Sequence, residues 1–351
     1  MNCLNLKLLL LLLITSVLLS LPFLVAEPRY VRQTFVHIQN FYADLRNYSH
    51  FLPKYVVGND SITNGKRKRS IRKWNNSCGL LTVGRMPGRL GNLMFAYASL
   101  YGLAVKNKRQ PYFLPGYLKI LEDSFDSLSI LRQGPSVQTM KKLRNNAEGI
   151  ADPRLLKIPC RGNTVLTGFM NSYKYFWPLL DEIKQEFSFK PADQSRCDKA
   201  LHDYKDKFKC TVVGAHLRRG DFLSAGNRGY GRAPADKDFL ARAINYFREK
   251  LRNSSNCLRF VLLGNEPKWN RQNAPNSSDI IVPELGTATV DLCILSRADH
   301  LIITTGTFSL WAGYLNSGTV VYQKKFYLKQ NSAYQRTIKP SDVYLPDWIG
   351  M

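Results

Sequence analysis

The sequence predicts an α/β protein built on a parallel sheet with helices on both faces. Two observations carry that expectation. Short, continuous apolar runs at 211–215, 259–263, 280–282, 301–304 and 319–322 alternate with helical patterns, such as Phe239, Leu240, Ala243, Ile244, Phe247 and Leu251. Strands apolar on both faces are those of a sheet covered on both sides, which is the environment of parallel pairing. The second observation is capacity: 351 residues at 44% hydrophobic and 12% aromatic can bury a sizeable core, which excludes wholesale disorder.

From the amino terminus, residues 1–7 form a short tail before a 19-residue stretch, 8–26, that carries no charge. Its length suits a membrane span better than the shorter apolar core of a cleaved signal peptide, so a signal-anchor helix is expected, with a cleaved signal as the alternative. Residues 27–77 hold ten basic and three acidic residues and read as a stem. Within it Phe35, Ile38, Phe41, Tyr42, Leu45, Tyr48 and Leu52 recur at helical spacing, either to pack on the globular body or to self-associate into a homodimer. Lys66-Arg67-Lys68-Arg69 then reads as an exposed linker, either left intact or cut after Arg69 to free a soluble body.

The body starts at Cys78. A short apolar run at 79–83 leads through Gly84-Arg85-Met86-Pro87-Gly88-Arg89-Leu90-Gly91 into a helical stretch over 92–106, and 111–114 reads as a second strand. The span 115–205 is irregular with helical patches. These boundaries give a first lobe over 78–205 and a second over 206–351.

Charge and cysteines bear on compartment and partners. The chain has a net charge of +24, and residues 78–351 alone hold 39 basic and 23 acidic residues, so an anionic partner is expected. Six cysteines follow the apolar stretch (Cys78, Cys160, Cys197, Cys210, Cys257 and Cys293), and Asn-x-Ser sequons stand at Asn47, Asn59, Asn75, Asn253 and Asn276. Together they indicate an oxidising lumen, up to three disulfides and glycosylation, and they make nucleic acid an improbable partner. Cys293, inside an apolar helical pattern, is the candidate for a buried free thiol.

Three loops follow strands at the end where open α/β sheets bind ligands. His216-Leu217-Arg218-Arg219-Gly220-Asp221 offers two guanidiniums that match phosphate oxygens; a structural ion pair with Asp221 and an Arg-Gly-Asp adhesion tripeptide are the rival readings. Thr304-Thr305-Gly306-Thr307-Phe308-Ser309 opens a helix whose first N–H groups suit an anion, or is a simple cap. Gly264-Asn265-Glu266-Pro267 is explained as a turn. For a metal the only plausible carboxylate pair is Asp236 and Asp238, which reads better as a helix-start cap, so a metal-free site is expected.

Four ordered motifs carry a resemblance: Gly88-Arg89-Leu90-Gly91-Asn92 with Met94-Phe95; the His216 to Asp221 segment; Asp291-Leu292 through Ser296-Arg297-Ala298-Asp299-His300 to Thr307-Phe308-Ser309-Leu310-Trp311-Ala312; and Val343-Tyr344-Leu345-Pro346-Asp347-Trp348-Ile349-Gly350. Over about 78–351 the chain resembles the galactoside α-1,2-fucosyltransferases of glycosyltransferase family 11. It departs from them at Leu93, where many members have Gln, and at Thr305-Gly306-Thr307, where Asn-Ser-Thr is common. The resemblance implies a two-lobed, GT-B-like fold with two Rossmann-like lobes and a donor-binding parallel sheet in the second.

It also implies inverting, metal-independent transfer of L-fucose from GDP-fucose to the 2-hydroxyl of a terminal galactose, by a single-pass type II Golgi membrane protein with a luminal catalytic part. A related transferase with another acceptor or linkage, and an inactive membrane-anchored glycan-binding protein, are the alternatives. In residues, the resemblance implies that His216 contacts the guanosine and Arg219 the diphosphate, with Arg218 beside it. Asp291 would lie where the guanine is read, Thr307, Phe308 and Ser309 beneath the β-phosphate, and Asn92 would face the cleft. Asp221 is the carboxylate nearest these arginines, either a base or a group that orients them.

Overall fold

The computed structural model describes residues 72–351 apart from 206, 207, 256 and 285. The expected anchor at 8–26, the stem helix with its self-association, the basic linker and the sequons at Asn47 and Asn59 lie outside the described residues. Among the described residues no helix is long and apolar enough to cross a membrane.

Two parallel sheets form. The first contains β1 (Leu80–Val83), β2 (Gln110–Tyr112), β3 (Lys141–Arg144) and β4 (Thr164–Thr167), in the order β2-β1-β4-β3. The second contains β5 (Thr211–Leu217), β6 (Leu258–Gly264), β7 (Ile280–Ile281), β8 (His300–Ile303), β9 (Val320–Tyr322) and β10 (Ile349–Gly350), in the order β10-β9-β8-β5-β6-β7. Every pairing is parallel. The order reverses between β1 and β4 in one sheet and between β5 and β8 in the other, which creates a crevice at the carboxyl end of each.

The principal helices are α1 (Leu90–Lys106), α2 (Pro191–Lys205), α3 (Lys237–Lys250), α4 (Pro267–Asn273), α5 (Ala288–Arg297) and α6 (Thr307–Leu315). Rich in Leu, Ala and aromatic residues, α1 is buried from Leu93 to Ala104 because it is covered on several sides. On one of those sides lies α6. Phe95 of α1 packs on Trp311 of α6 with ring centroids 5.2 Å apart, and Phe176 stacks on Trp311 at 5.4 Å. Such pairs add about 0.5–1.5 kcal/mol each beyond their buried area, so the lobes share one aromatic core.

The carboxyl-terminal segment fastens the lobes a second time. Asp342 is buried in the first lobe, with Lys174 Nζ 2.9 Å away and the Ala151 N–H donating to its Oδ2 at 2.9 Å. Trp348 and Tyr344 then return to the second sheet, stacking on Tyr314 and Tyr322.

Three disulfides join Cys78 to Cys160, Cys197 to Cys293, and Cys210 to Cys257. Cys293 is therefore not the free thiol expected from its apolar surroundings. The inward face of α5 lies against α2, so the same burial that suggested a lone thiol brings it to Cys197. That bond also ties α2, whose sequence fell within the expected first lobe, to a helix of the second. Three strands went unrecognised in the sequence. β3 reads Lys-Lys-Leu-Arg and lies exposed at a sheet edge, β4 has four residues in the irregular middle, and β10 has two.

Candidate functional site

The carboxyl ends of β5 and β8 meet the loop after β1 around a cavity of about 500 Å³ between the lobes. It is lined from the first lobe by Gly88, Arg89, Asn92, Glu148, Phe169 and Asn171, and from the second by His216, Arg218, Asp221, Arg232, Asp291, Thr307 and Phe308, among others.

β5 delivers its last residues in alternation. His216 is buried at the cavity wall, with Nδ1 2.6 Å from Ser309 Oγ and its ring 4.8 Å from that of Phe308. Burial, then the nearby Arg218 charge, pulls its pKa down to about 3, so the ring stays neutral at physiological pH. Two residues on, Arg218 also faces the cavity. Its N–H donates to Thr304 Oγ1 at 2.8 Å, and its Nη2 lies 2.7 Å from Asp221 Oδ1. Desolvation disfavours its charge, which favours an anionic ligand beside it.

Arg219 takes the opposite side and does not line the cavity. Its Nε donates to Glu266 Oε2 at 3.2 Å, its Nη1 to the Ala235 carbonyl at 2.7 Å, and its guanidinium lies 4.1 Å from the ring centre of Trp269 on α4. Its N–H donates to Asn265 Oδ1 at 3.0 Å. Arg219 is therefore not among the cavity-lining residues: the β6–α4 turn holds its Nε and the Ala235 carbonyl its Nη1. That turn does more than reverse the chain: Gly264 and Asn265 line the cavity, and Glu266 holds Arg219.

Two helix N-termini converge on the same space. Gly306, at φ +115°, caps α6, and among the described residues no side chain caps it. Leu310 is the first to donate back, to the Gly306 carbonyl, so the N–H groups of Thr307, Phe308 and Ser309 lack an intrahelical acceptor. The start of α1 likewise has no side-chain cap. The two abut at Gly91, where an added Cβ would sit 2.7 Å from the Phe308 nitrogen. Only glycine permits that approach. The positive ends of two helix dipoles and the Arg218 guanidinium thus face one cavity, an arrangement suited to a diphosphate.

Asp291, on the first turn of α5, also lines the cavity, and burial raises its pKa to about 6. Asp221 is half-exposed and bridges the lobes, pairing with Arg218 and, at 3.0 Å, with Arg89. A second bridge joins Glu148 to Arg232 at 3.0 Å, with Tyr230 Oη donating to the same carboxylate at 3.2 Å. Arg232 lies over the rings of Phe222, Tyr230 and Tyr334.

The structure thus brings His216, Arg218, Asp221, Asp291, Thr307, Phe308 and Asn92 together, puts Ser309 directly behind His216, and turns Arg219 away. Glu148, Asn171 and Arg232 were not legible as site residues, since the first two lie in a stretch without periodicity. Asp236 caps α3, its Oδ1 accepting from the Asp238 N–H at 3.0 Å. Asn75, Asn253 and Asn276 are exposed.

The chain is similar to several known proteins. Galactoside 2-alpha-L-fucosyltransferase SEC1 of Bos taurus is 29% identical over 280 residues, covering 78% of this chain and 74% of that protein. Galactoside alpha-(1,2)-fucosyltransferase 2 of Pongo pygmaeus is 29% identical over 281 residues, covering 78% and 79%. Among solved structures, fucosyltransferase NodZ from Bradyrhizobium aligns with a TM-score of 0.43 and 12% identity, over 70% of this chain and 94% of that one. Residues 55–351 match the family described as glycosyl transferase family 11, a span that takes in both sheets and every residue of the cavity. The chain belongs to glycosyl transferase family 11 and is a glycosyltransferase.

Proposed function

We propose that the protein transfers L-fucose from GDP-fucose to the 2-hydroxyl of a terminal galactose, with inversion and without a metal ion. The observation that carries this reading is the convergence of Arg218 with the N-termini of α1 and α6 on one cavity. The similarity to proteins named galactoside 2-alpha-L-fucosyltransferases supplies the sugar and the linkage.

As the bond from fucose to GDP breaks, negative charge grows on the β-phosphate while the sugar becomes cation-like. A fixed guanidinium and oriented N–H groups stabilise that charge more in the transition state than in the ground state, and one such donor is worth about 10²–10³ in kcat. Asp221 is a positioning residue, since its two arginine partners use its oxygens to aim Arg218. Neutral His216, held by Ser309, and the carboxylate of Asp291 offer hydrogen bonds to the nucleoside. Arg218 and the helix ends supply the charge stabilisation that a divalent ion gives other sugar-nucleotide enzymes.

We also infer a luminal Golgi location with a type II anchor at 8–26. Three disulfides and three exposed sequons are what an oxidising lumen requires and uses.

The test is to incubate the protein with GDP-fucose and lactose, follow GDP release with and without EDTA, and determine the product linkage by NMR. Equimolar GDP and an α-fucosyl group on the galactose 2-hydroxyl, unaffected by EDTA, are expected. Transfer to another position, or dependence on Mn²⁺, would replace the respective part of the reading. Binding of the glycan without GDP release would make the chain an inactive binding protein.

A further inference from the structure

Residues 300–341 contain no Asp or Glu, yet five Lys and Arg fall within 324–339: Lys324, Lys325, Lys329, Arg336 and Lys339. In a body carrying 23 acidic residues, a stretch of that length free of them leaves its surface locally positive. The fold gives this segment a shape. It borders a second, open groove of about 430 Å³ whose lining includes Lys324, Phe326, Tyr327, Gln335, Arg336 and Ile338.

The groove adjoins the catalytic cavity. Ile338 lines both. Tyr327 is bridged in antiparallel fashion to Arg232, itself a cavity residue, and the Leu328 N–H donates to the Gly231 carbonyl at 2.9 Å. Within the groove Phe326 is buried and supports the half-buried Tyr327, with ring centroids 5.2 Å apart. Lys324 and Arg336 are exposed at its sides, and Arg336 donates from Nη1 to the Asn331 carbonyl, which fixes one edge of its guanidinium. No acidic residue lines the groove.

We propose that this groove is an acceptor subsite for an anionic glycan: it takes the sugar next to the reacting galactose and favours one bearing a sulfate ester or a carboxylate. An aromatic side chain offers a face to a pyranose ring, while an ammonium and a guanidinium on either side match a sulfate or a carboxylate. The proposal rests on the reading of the cavity as a galactoside fucosyltransferase site and adds the chemistry of the acceptor's second residue.

The experiment compares three acceptors with the full chain and GDP-fucose: galactose linked to glucose, to glucose 6-sulfate, and to glucuronic acid. At low ionic strength the KM of at least one charged acceptor should lie about fivefold below that of the neutral one, and the advantage should fade in about 1 M salt. The sulfate and carboxylate arms identify which anion is preferred. Lys324→Glu with Arg336→Glu should reverse the preference while leaving the neutral acceptor within about twofold, and Lys324→Gln with Arg336→Gln should abolish it without reversal. Equal KM values for all three acceptors, or a preference that survives charge reversal, would overturn the proposal. Saturation-transfer NMR of the charged disaccharides, read without turnover, separates the two ideas. Binding lost on charge reversal but with no GDP release would sink the transferase reading and keep the groove.

Discussion

The four-stranded and six-stranded sheets are both fully parallel, and each reverses its strand order beside its first strand. What they bring to the cavity differs. The second lobe contributes groups whose ionisation is altered by burial: His216 held neutral, Asp291 raised, and Arg218 partly desolvated. The first lobe contributes close backbone approach at Gly91 and uncharged groups at Asn92, Phe169 and Asn171. Its two charged cavity residues, Arg89 and Glu148, are each paired across the cleft, with Asp221 and Arg232. On the proposed function the charged donor would meet the second lobe, while the first sets the spacing at Gly91 and keeps its own charges paired.

Substitutions that act on one lobe at a time sharpen this contrast. The largest effect is expected at the seam, from Gly91→Ala. Its new Cβ would lie 2.7 Å from the Phe308 nitrogen and 2.8 Å from the Thr307 carbonyl carbon, so the two helix N-termini must part. A displacement of that size costs about 100-fold in transfer rate. Single-turnover kinetics alongside circular dichroism would check it, and full activity would show that the seam does not position the diphosphate.

A smaller effect should appear with pH. The carboxyl of Asp291 titrates at about 6, above the usual range because it is buried. Above that pH it is ionised and can accept nucleobase N–H groups; below it the neutral acid is a poorer acceptor. The donor kcat/KM should therefore fall below pH 6, by about tenfold per unit, and Asp291→Asn should flatten that limb at a lower plateau. His216, at about 3, adds no limb between pH 5 and 8.

The smallest effect belongs to the first lobe. Glu148→Gln weakens the pair with Arg232 and should raise the acceptor KM about threefold with the donor KM unchanged. A rise in donor KM instead would blur the division between lobes.

The same contrast governs what was legible in the amino-acid sequence. β5, β6 and β8 are covered on both faces and read as continuous apolar runs, so their position and their loops could be found. β3 lies at an exposed, charged edge where burial does not impose such a run, while β4 is buried but only four residues long, two of them Thr. The arginine pair is visible in the sequence, and the resemblance gives the diphosphate to Arg219, whereas Arg218 is the member that lines the cavity. Strand alternation held the needed signal, since His216 and Arg218 share a parity and face the cavity while Leu217 and Arg219 face away. The capture of Arg219 by Glu266 and Trp269 depends on a turn more than forty residues later and could not be read locally.

The most direct test is to measure kcat at saturating GDP-fucose and thermal stability for Arg218→Lys and Arg219→Lys side by side. A lysine keeps the charge in both and removes only the planar fork. Arg218→Lys should lose about 10²–10³ in kcat with an unchanged melting temperature. Arg219→Lys should keep kcat within about threefold and lose about 1–3 kcal/mol of stability, as one ammonium cannot hold the Ala235 carbonyl, Glu266 and the Trp269 ring together. The opposite pattern, with Arg219→Lys inactive and stable and Arg218→Lys active, would contradict the assignment of Arg218 to the diphosphate.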